Sequence, residues 1–319
     1  MPNGSLVQPL IEGDVDLVGD IHGEIEALHT LMRHLNYNGE GIHPDGRRLV
    51  FLGDLTDRGP DSIAVVELVQ RLVERGAAQC VLGNHDLNIL LNDRKPENGW
   101  FFSQDSEDEQ GQTLGQKSAT AEHQERIRRF FATLPLALER SDLRVVHACW
   151  DTCCVPSWNA HWGVYWDRPM IEIAREHCDV KSLYDRYAAE ITHDISGRHL
   201  DKPDTKLHYQ NRNPVKLITS GPEQRTDEPF MAGGKWRYER RVEWWNDYTA
   251  SAYCVFGHYA APPGEPHGAS RAICIDPNVA NKAAFKGGFC TQHYAAEANG
   301  LDVSSFWIRL SPRDTSART

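Results

Sequence analysis

Five short apolar runs in this chain end, one after another, in side chains that ligate metals or carry protons, and this arrangement constrains the fold more than any other feature. Val15-Asp16-Leu17-Val18 leads into Gly19-Asp20-Ile21-His22-Gly23, and Arg48-Leu49-Val50-Phe51-Leu52 leads into Gly53-Asp54. Ala78-Gln79-Cys80-Val81-Leu82 leads into Gly83-Asn84-His85-Asp86, Leu143-Arg144-Val145-Val146 into His147, and Tyr253-Cys254-Val255-Phe256 into Gly257-His258. Short apolar runs bounded by glycine and polar residues read as strands. Between the first of them, Glu24 to Leu35 and Ser62 to Arg75 place apolar residues on one stripe of a helix. Strands alternating with helices predict an α/β fold with a mainly parallel sheet. In such sheets ligands bind beyond the carboxyl ends of the strands, where all five motifs fall.

Two segments interrupt the alternation. Asp93 to Ser118 holds Asn98-Gly99-Trp100-Phe101-Phe102 and the acidic stretch Asp105 to Glu109, and it reads as a solvated surface loop. Trp150 to Trp245 is long and Trp-rich, with helical stretches at Ile171 to Cys178 and Leu183 to Ile191. Because the strand motifs resume at Tyr253, it reads as a cap-like insertion. The expectation is one domain over 1–319, with insertions near 93–141 and 150–250.

Composition excludes several partners. With 34 Lys and Arg against 45 Asp and Glu the net charge is −11, so nucleic acid is not an expected partner. No run approaches the roughly 18 apolar residues of a membrane span, and the N-terminus lacks a signal-peptide core. A cytoplasmic protein with no membrane partner is expected. Eight cysteines in 319 residues read as reduced thiols. Cys149, Cys153 and Cys154 lack a second pair at zinc spacing.

The strand ends offer six ligands: Asp20, His22, Asp54, Asn84, His147 and His258. Asp20 and His22 stand two apart on an extended end, so they point the same way. Six donors are too many for one tetrahedral ion. A shared Asp54 carboxylate resolves the count by bridging two ions about 3.5 to 4 Å apart. Imidazole, amide and carboxylate donors suit Mn²⁺, Fe or Zn²⁺, and two divalent ions, Mn²⁺ first, are the expected cofactors. Any one of these residues alone is more often a cap or a satisfied core group; the ordered set, each member after a strand, carries the weight.

These motifs resemble those of the calcineurin-like metallophosphoesterases, and within them the phosphoprotein-phosphatase branch: Gly19-Asp20-Ile21-His22-Gly23, Gly53-Asp54-Leu55-Thr56-Asp57-Arg58-Gly59, Gly83-Asn84-His85-Asp86, Val146-His147-Ala148 and Gly257-His258. The resemblance spans residues 14 to 92, 143 to 150 and 253 to 276, and not the insertions. It implies a metallo-dependent phosphatase fold: a two-sheet β-sandwich flanked by helices, with cap-like insertions. It further implies that Asp20, His22 and Asp54 hold one ion, and that Asp54, Asn84, His147 and His258 hold the other. Nuclease and cyclic-nucleotide phosphodiesterase relatives end in G-H-x-H, whereas Ala260 stands at that last position here.

The implied chemistry is hydrolysis of phosphate monoesters, on phosphoprotein or a small phosphorylated metabolite, by a hydroxide bridging the two ions. His85 matches the family's general acid and Asp57 its orienting partner, while Arg58 offers a bidentate fork to the phosphoryl oxygens beside Asn84. For a second phosphate-binding arginine, Arg168 in Trp166-Asp167-Arg168 resembles the Trp-x-Arg of bacteriophage-type phosphatases, with Arg237, Arg240 and Arg241 as competitors. Gly83 to Leu91 also resembles symmetrical dinucleoside tetraphosphate hydrolases, although these often lack the acid equivalent to Asp57; RNA-end phosphatases are a more distant neighbour. A non-catalytic metal-binding scaffold is the alternative of another class, and retention of all six ligands, His85 and Arg58 argues against it.

Overall fold

The computed structural model of the protein describes residues 4–108, 111–150, 168–232, 235–260, 268–269, 271–276, 291–295 and 300–302. Along the chain come β1 (Val7–Pro9), β2 (Val15–Val18), α1 (Ile25–His34), β3 (Arg48–Phe51), α2 (Ser62–Glu74), β4 (Ala78–Cys80) and α3 (Asn84–Leu90). Then follow a 3₁₀ helix (Pro96–Phe102), β5 (Ser106–Glu107), β6 (Thr113–Leu114), α4 (Ala121–Phe131), β7 (Ala137–Glu139) and β8 (Leu143–Val146). The second insertion holds α5 (Met170–Arg175), α6 (Val180–Ile195), α7 (Lys202–Arg212), α8 (Pro214–Ser220), β9 (Glu223–Ala232) and β10 (Lys235–Arg241). The chain closes with β11 (Tyr253–Phe256), β12 (Gly268–Ala269), β13 (Ala272–Cys274), β14 (Thr291–Ala295) and β15 (Gly300–Asp302).

The strands form two main sheets, ordered β15-β14-β2-β3-β4 and β1-β7-β8-β11-β13-β12. Alternation along each strand sets the layers. Val15, Leu17, Val50, Leu52 and Val81 of one sheet meet Leu138, Leu143, Val145, Val255 and Ile273 of the other in a core between the sheets. The intervening Val18, Phe51 and Cys80 belong instead to the core beneath α1 and α2, where Leu28, Leu31, Val65, Val69 and Leu72 are buried. Asp16 interrupts the apolar pattern of β2 without orphaning a charge, since Arg47 Nη1 lies 3.0 Å from Oδ1 and the Tyr37 hydroxyl donates to Oδ2 at 2.8 Å.

The sheets are mixed rather than mainly parallel. β2, β3 and β4 run parallel, as do β8, β11 and β13, but β14 pairs antiparallel with β2 and β7 antiparallel with β8. The parallel parts are the ones whose carboxyl ends carry the motifs. No helix among the described residues is long and apolar enough to cross a membrane.

The reading of 93–118 as a solvated loop is corrected in part: Asp105, Glu107 and 111–113 are exposed, but residues 98–101 are not. Asn98, Trp100 and Phe101 are at most 1% exposed, and the Trp100 carbonyl accepts the Ala119 N–H at 2.9 Å. The Asn98–Phe101 stretch therefore packs into the body, while the acidic part of the segment stays at the surface. The second insertion docks behind His147, where the Ile218 carbonyl of α8 accepts the N–H groups of Ala148 and Cys149. Its β9–β10 hairpin leaves Phe230, Met231, Trp236 and Tyr238 exposed.

Candidate active site

Three of the five motifs turn the chain sharply, and the backbone shows it. His22, Asp54, Asp57, Arg58 and His258 all have φ between 47° and 72°, a left-handed conformation that non-glycine residues avoid. Such outliers gather where packing over-determines them and where chemistry uses them. Here Asp86 holds the Asp54 turn, accepting the Leu55 N–H at 3.1 Å and the Thr56 hydroxyl at 3.0 Å. The turn in turn fixes Asp54, whose Oδ1 accepts the His85 N–H at 2.9 Å.

The structure brings Asp20, His22, Asp54, Asn84, His147 and His258 together. His22 Nε2 lies 4.0 Å from Asp20 Oδ2 and 3.8 Å from Asp54 Oδ2. His147 Nε2 lies 3.4 Å from Asp54 Oδ1, and Asn84 Oδ1 sits 3.1 Å from His147 Nε2 and 2.7 Å from His258 Nδ1. Among the described residues three groups of donor atoms lie within metal-binding range, His22/Asp54/His85, Asp54/His147/His258 and Asp57/His85/Glu97, with Asp54 in the first two.

The donor chemistry fits divalent ions. His22 Nδ1 donates to the Thr56 carbonyl at 2.9 Å and His147 Nδ1 to the Leu52 carbonyl at 2.6 Å, so each ring turns its Nε2 inward, where the neutral form offers a lone pair. Orientation by an outer carbonyl is the usual support of a metal-binding imidazole. Burial, and then the Asp276 carboxylate, push Asp20 well above the usual carboxylate range. A cation beside it would reverse that push. Burial also disfavours the Asp54 anion, yet His147 and His85 hold it well below the ordinary range. Burial and Arg58 push His22 down, and burial and Arg241 push His258 down, leaving both neutral and able to ligate. His147 differs. Burial opposes its charge, but Asp54 and Asp20 prevail and push it up to about 10, so an incoming ion must displace its proton.

Beside the ligands stands an acid pair. His85 Nδ1 lies 2.7 Å from Asp57 Oδ2, and the other Asp57 oxygen accepts the Trp100 indole N–H at 2.7 Å. Against the cost of burial, Asp54 and the bond to Asp57 raise the His85 pKa. Arg58 points its fork inward, with Nη1 3.1 Å from His22 Nε2 and Nη2 3.3 Å from His85 Nε2, while Nε meets Glu97 Oε2 at 3.4 Å.

The arginines downstream separate. Arg168 forms a two-pronged pair with Glu176, at 2.9 and 2.7 Å, and the Trp166 and Asp167 of its motif lie outside the described residues. Arg241 reaches the centre, donating to the His258 carbonyl at 2.8 Å. Cys149 is buried, while Cys153 and Cys154 lie outside the described residues. Four acids and aromatics near the centre escape motif reading. Asp86 is in the Gly83 motif but has no assigned role there, and Asp276 stands two residues past β13, a strand-end signal that could have found it. Glu97 and Trp100 come from the misread loop.

A strained, carboxylate-centred cluster stands at the ends of parallel strands in a two-sheet sandwich. Residues 14–159 match the model of the calcineurin-like phosphoesterase family. A Geobacillus sp. (strain WCH70) protein named bis(5'-nucleosyl)-tetraphosphatase PrpE [asymmetrical] is 51% identical over 74 residues, 22% of this chain and 30% of that relative. The chain thus matches under a third of that relative's length. A structure of a protein serine/threonine phosphatase from Saccharomyces cerevisiae superposes with a TM-score of 0.52 at 12% identity, covering 97% of this chain and 86% of its own. One provisionally named a diadenosine tetraphosphatase gives 0.50 at 18% identity, covering 96% and 98%. At these identities the two structures show the fold alone.

Proposed function

We propose that the protein is a metal-dependent phosphatase that hydrolyses phosphate monoesters by direct attack of water on phosphorus. The observation that carries the reading is the His85–Asp57 pair at 2.7 Å, locked to Asp54 through the His85 N–H. Asp20, His22 and Asp54 would hold one divalent ion, and Asp54, Asn84, His147 and His258 a second, Mn²⁺ being the best match to this donor set. Bound there, the ions lower the pKa of water and neutralise phosphate charge. Arg58 then binds and orients the phosphoryl oxygens, a task for a planar fork that lysine performs poorly. His85 gives its Nε2 proton to the leaving oxygen, and Asp57 steadies the resulting charge distribution through Nδ1.

Leaving-group dependence tests this. His85→Asn should cost roughly 10²- to 10⁴-fold in kcat on a phosphoseryl peptide, the range for a positioned acid, and much less on p-nitrophenyl phosphate. Metal content should not change. Loss of metal, or equal loss of rate on both substrates, would show that Asn84 and His85 have exchanged roles, an arrangement to which the His22/Asp54/His85 grouping is open.

A second reading, dinucleoside tetraphosphate hydrolysis, is favoured by the 51% identity to a protein named for that activity. Comparison of kcat/KM on diadenosine tetraphosphate and on the phosphopeptide decides between them. Products separate the modes, because ADP alone marks symmetrical cleavage and ATP with AMP marks the asymmetrical one.

A further inference from the structure

We propose that Trp100 is a positioning residue for the Asp57–His85 pair, its indole N–H fixing the carboxylate that in turn holds the imidazole. The inference rests on the reading of His85 as the acid.

Asp57 is fully buried, and both of its carboxylate oxygens are engaged: Oδ1 by Trp100 Nε1 and Oδ2 by His85 Nδ1, each at 2.7 Å. A carboxylate with one partner can rotate about its terminal torsion, which is broad. Two donors on opposite oxygens remove that freedom. The indole is a donor only, with a single N–H, and here it goes to Asp57. Phenylalanine would fill much of the same space without the donor, so the N–H is what this position adds to packing.

Trp100 is itself held. Its backbone N–H donates to Ser106 Oγ at 2.8 Å, and its neighbour Gly99 lies so close to the Asp105 carbonyl that a Cβ would sit 2.2 Å from the oxygen. The same insertion returns to grip the rest of the catalytic turn. Gln116 Nε2 donates to the Gly59 carbonyl at 3.0 Å, and the Lys117 N–H to the Pro60 carbonyl at 3.0 Å. Asp57, at φ 72°, and Arg58, at φ 62°, are thus clamped from outside by residues 97 to 117. Strained turns persist only where the surroundings enforce them.

The test uses the full chain loaded with Mn²⁺. Trp100→Phe should lower kcat on a phosphoseryl peptide by about 10-fold, as loss of one hydrogen bond to a charged group implies, and leave p-nitrophenyl phosphate within about threefold. His85→Asn is measured beside it. Equal slowing of both substrates by Trp100→Phe, with His85→Asn still discriminating between them, overturns the positioning role and spares the acid. No discrimination by His85→Asn removes the acid, and this inference with it. If Trp100→Phe does not fold, benzothienylalanine at position 100 keeps the shape without the N–H and should give the same split. A readout without turnover is the Trp100 indole proton resonance, which should lie downfield and move upfield in Asp57→Asn. A resonance unmoved by that change overturns the proposal.

Discussion

Asp54 is the pivotal residue, because it belongs to two of the three donor groups and also fixes His85 through a backbone N–H. Asp54→Asn should therefore lower the occupancy of both metal positions, since the ion held with Asn84, His147 and His258 loses its one anionic ligand, the ion beside Asp20 loses one of two, and their mutual repulsion goes unscreened. Metal content equal to that of the parent would contradict a bridging role. His147 gives a pH-dependent counterpart. Its pKa is about 10 in the metal-free fold against about 6.5 for a free imidazole. Its proton stabilises the metal-free protein fully below pH 6.5, and this contribution fades as pH rises towards 10. An ion must displace that proton, so the rise in Tm on adding Mn²⁺ should grow from pH 6 to pH 9. A constant increment would mean that His147 is already neutral.

Among the elements, the tight strand-to-turn passages decide whether the donors meet. A Cβ at Gly83 would lie 2.1 Å from the Asp54 backbone nitrogen and 2.3 Å from Oδ1. Gly83→Ala should consequently displace the Asp54 turn, costing about 1 to 3 kcal/mol by overpacking and lowering metal content. Unchanged Tm and metal content would show that the turn can yield. The same elements show what the sequence makes legible. Val15–Val18, Arg48–Phe51 and Tyr253–Phe256 are visible as strands because local apolar runs define them, and the glycines after them mark the turns. Trp100 is not visible, because its partner Asp57 is 43 positions away and no periodicity accompanies it. Nor is the β9–β10 hairpin, whose strands are largely charged and polar and so lack an apolar run to announce them. In sequence Arg241 is indistinguishable from Arg237 and Arg240, and only the root of the hairpin places it at the His258 carbonyl.

The molecule as a whole assembles its centre from two sheets. Asp20, His22 and Asp54 follow β2 and β3, while His147 and His258 follow β8 and β11 of the other sheet. Cys80 and Cys254 are buried, on β4 and β11, and burial pushes both thiols up, whereas Cys178 is exposed. At pH 8 a thiol reagent should label Cys178 promptly and reach Cys80 and Cys254 only through opening of the sandwich. Prompt labelling of all three would show that the sheets separate readily.

The seam between the sheets also gives the metal centre a history. The His258 N–H faces the Asp20 carboxylate across 238 positions of chain. During synthesis Asp20, His22 and Asp54 emerge long before His147 and His258, so under the proposed assignment the second ion's coordination shell is incomplete until the last motif has docked. An ion captured at that late stage acts as a rivet, fastening a joint that the folding barrier has already crossed. It should leave the refolding rate almost untouched while slowing unfolding, by up to about 100-fold at a hundred times its Kd. The labelling of Cys254 would then serve as the clock.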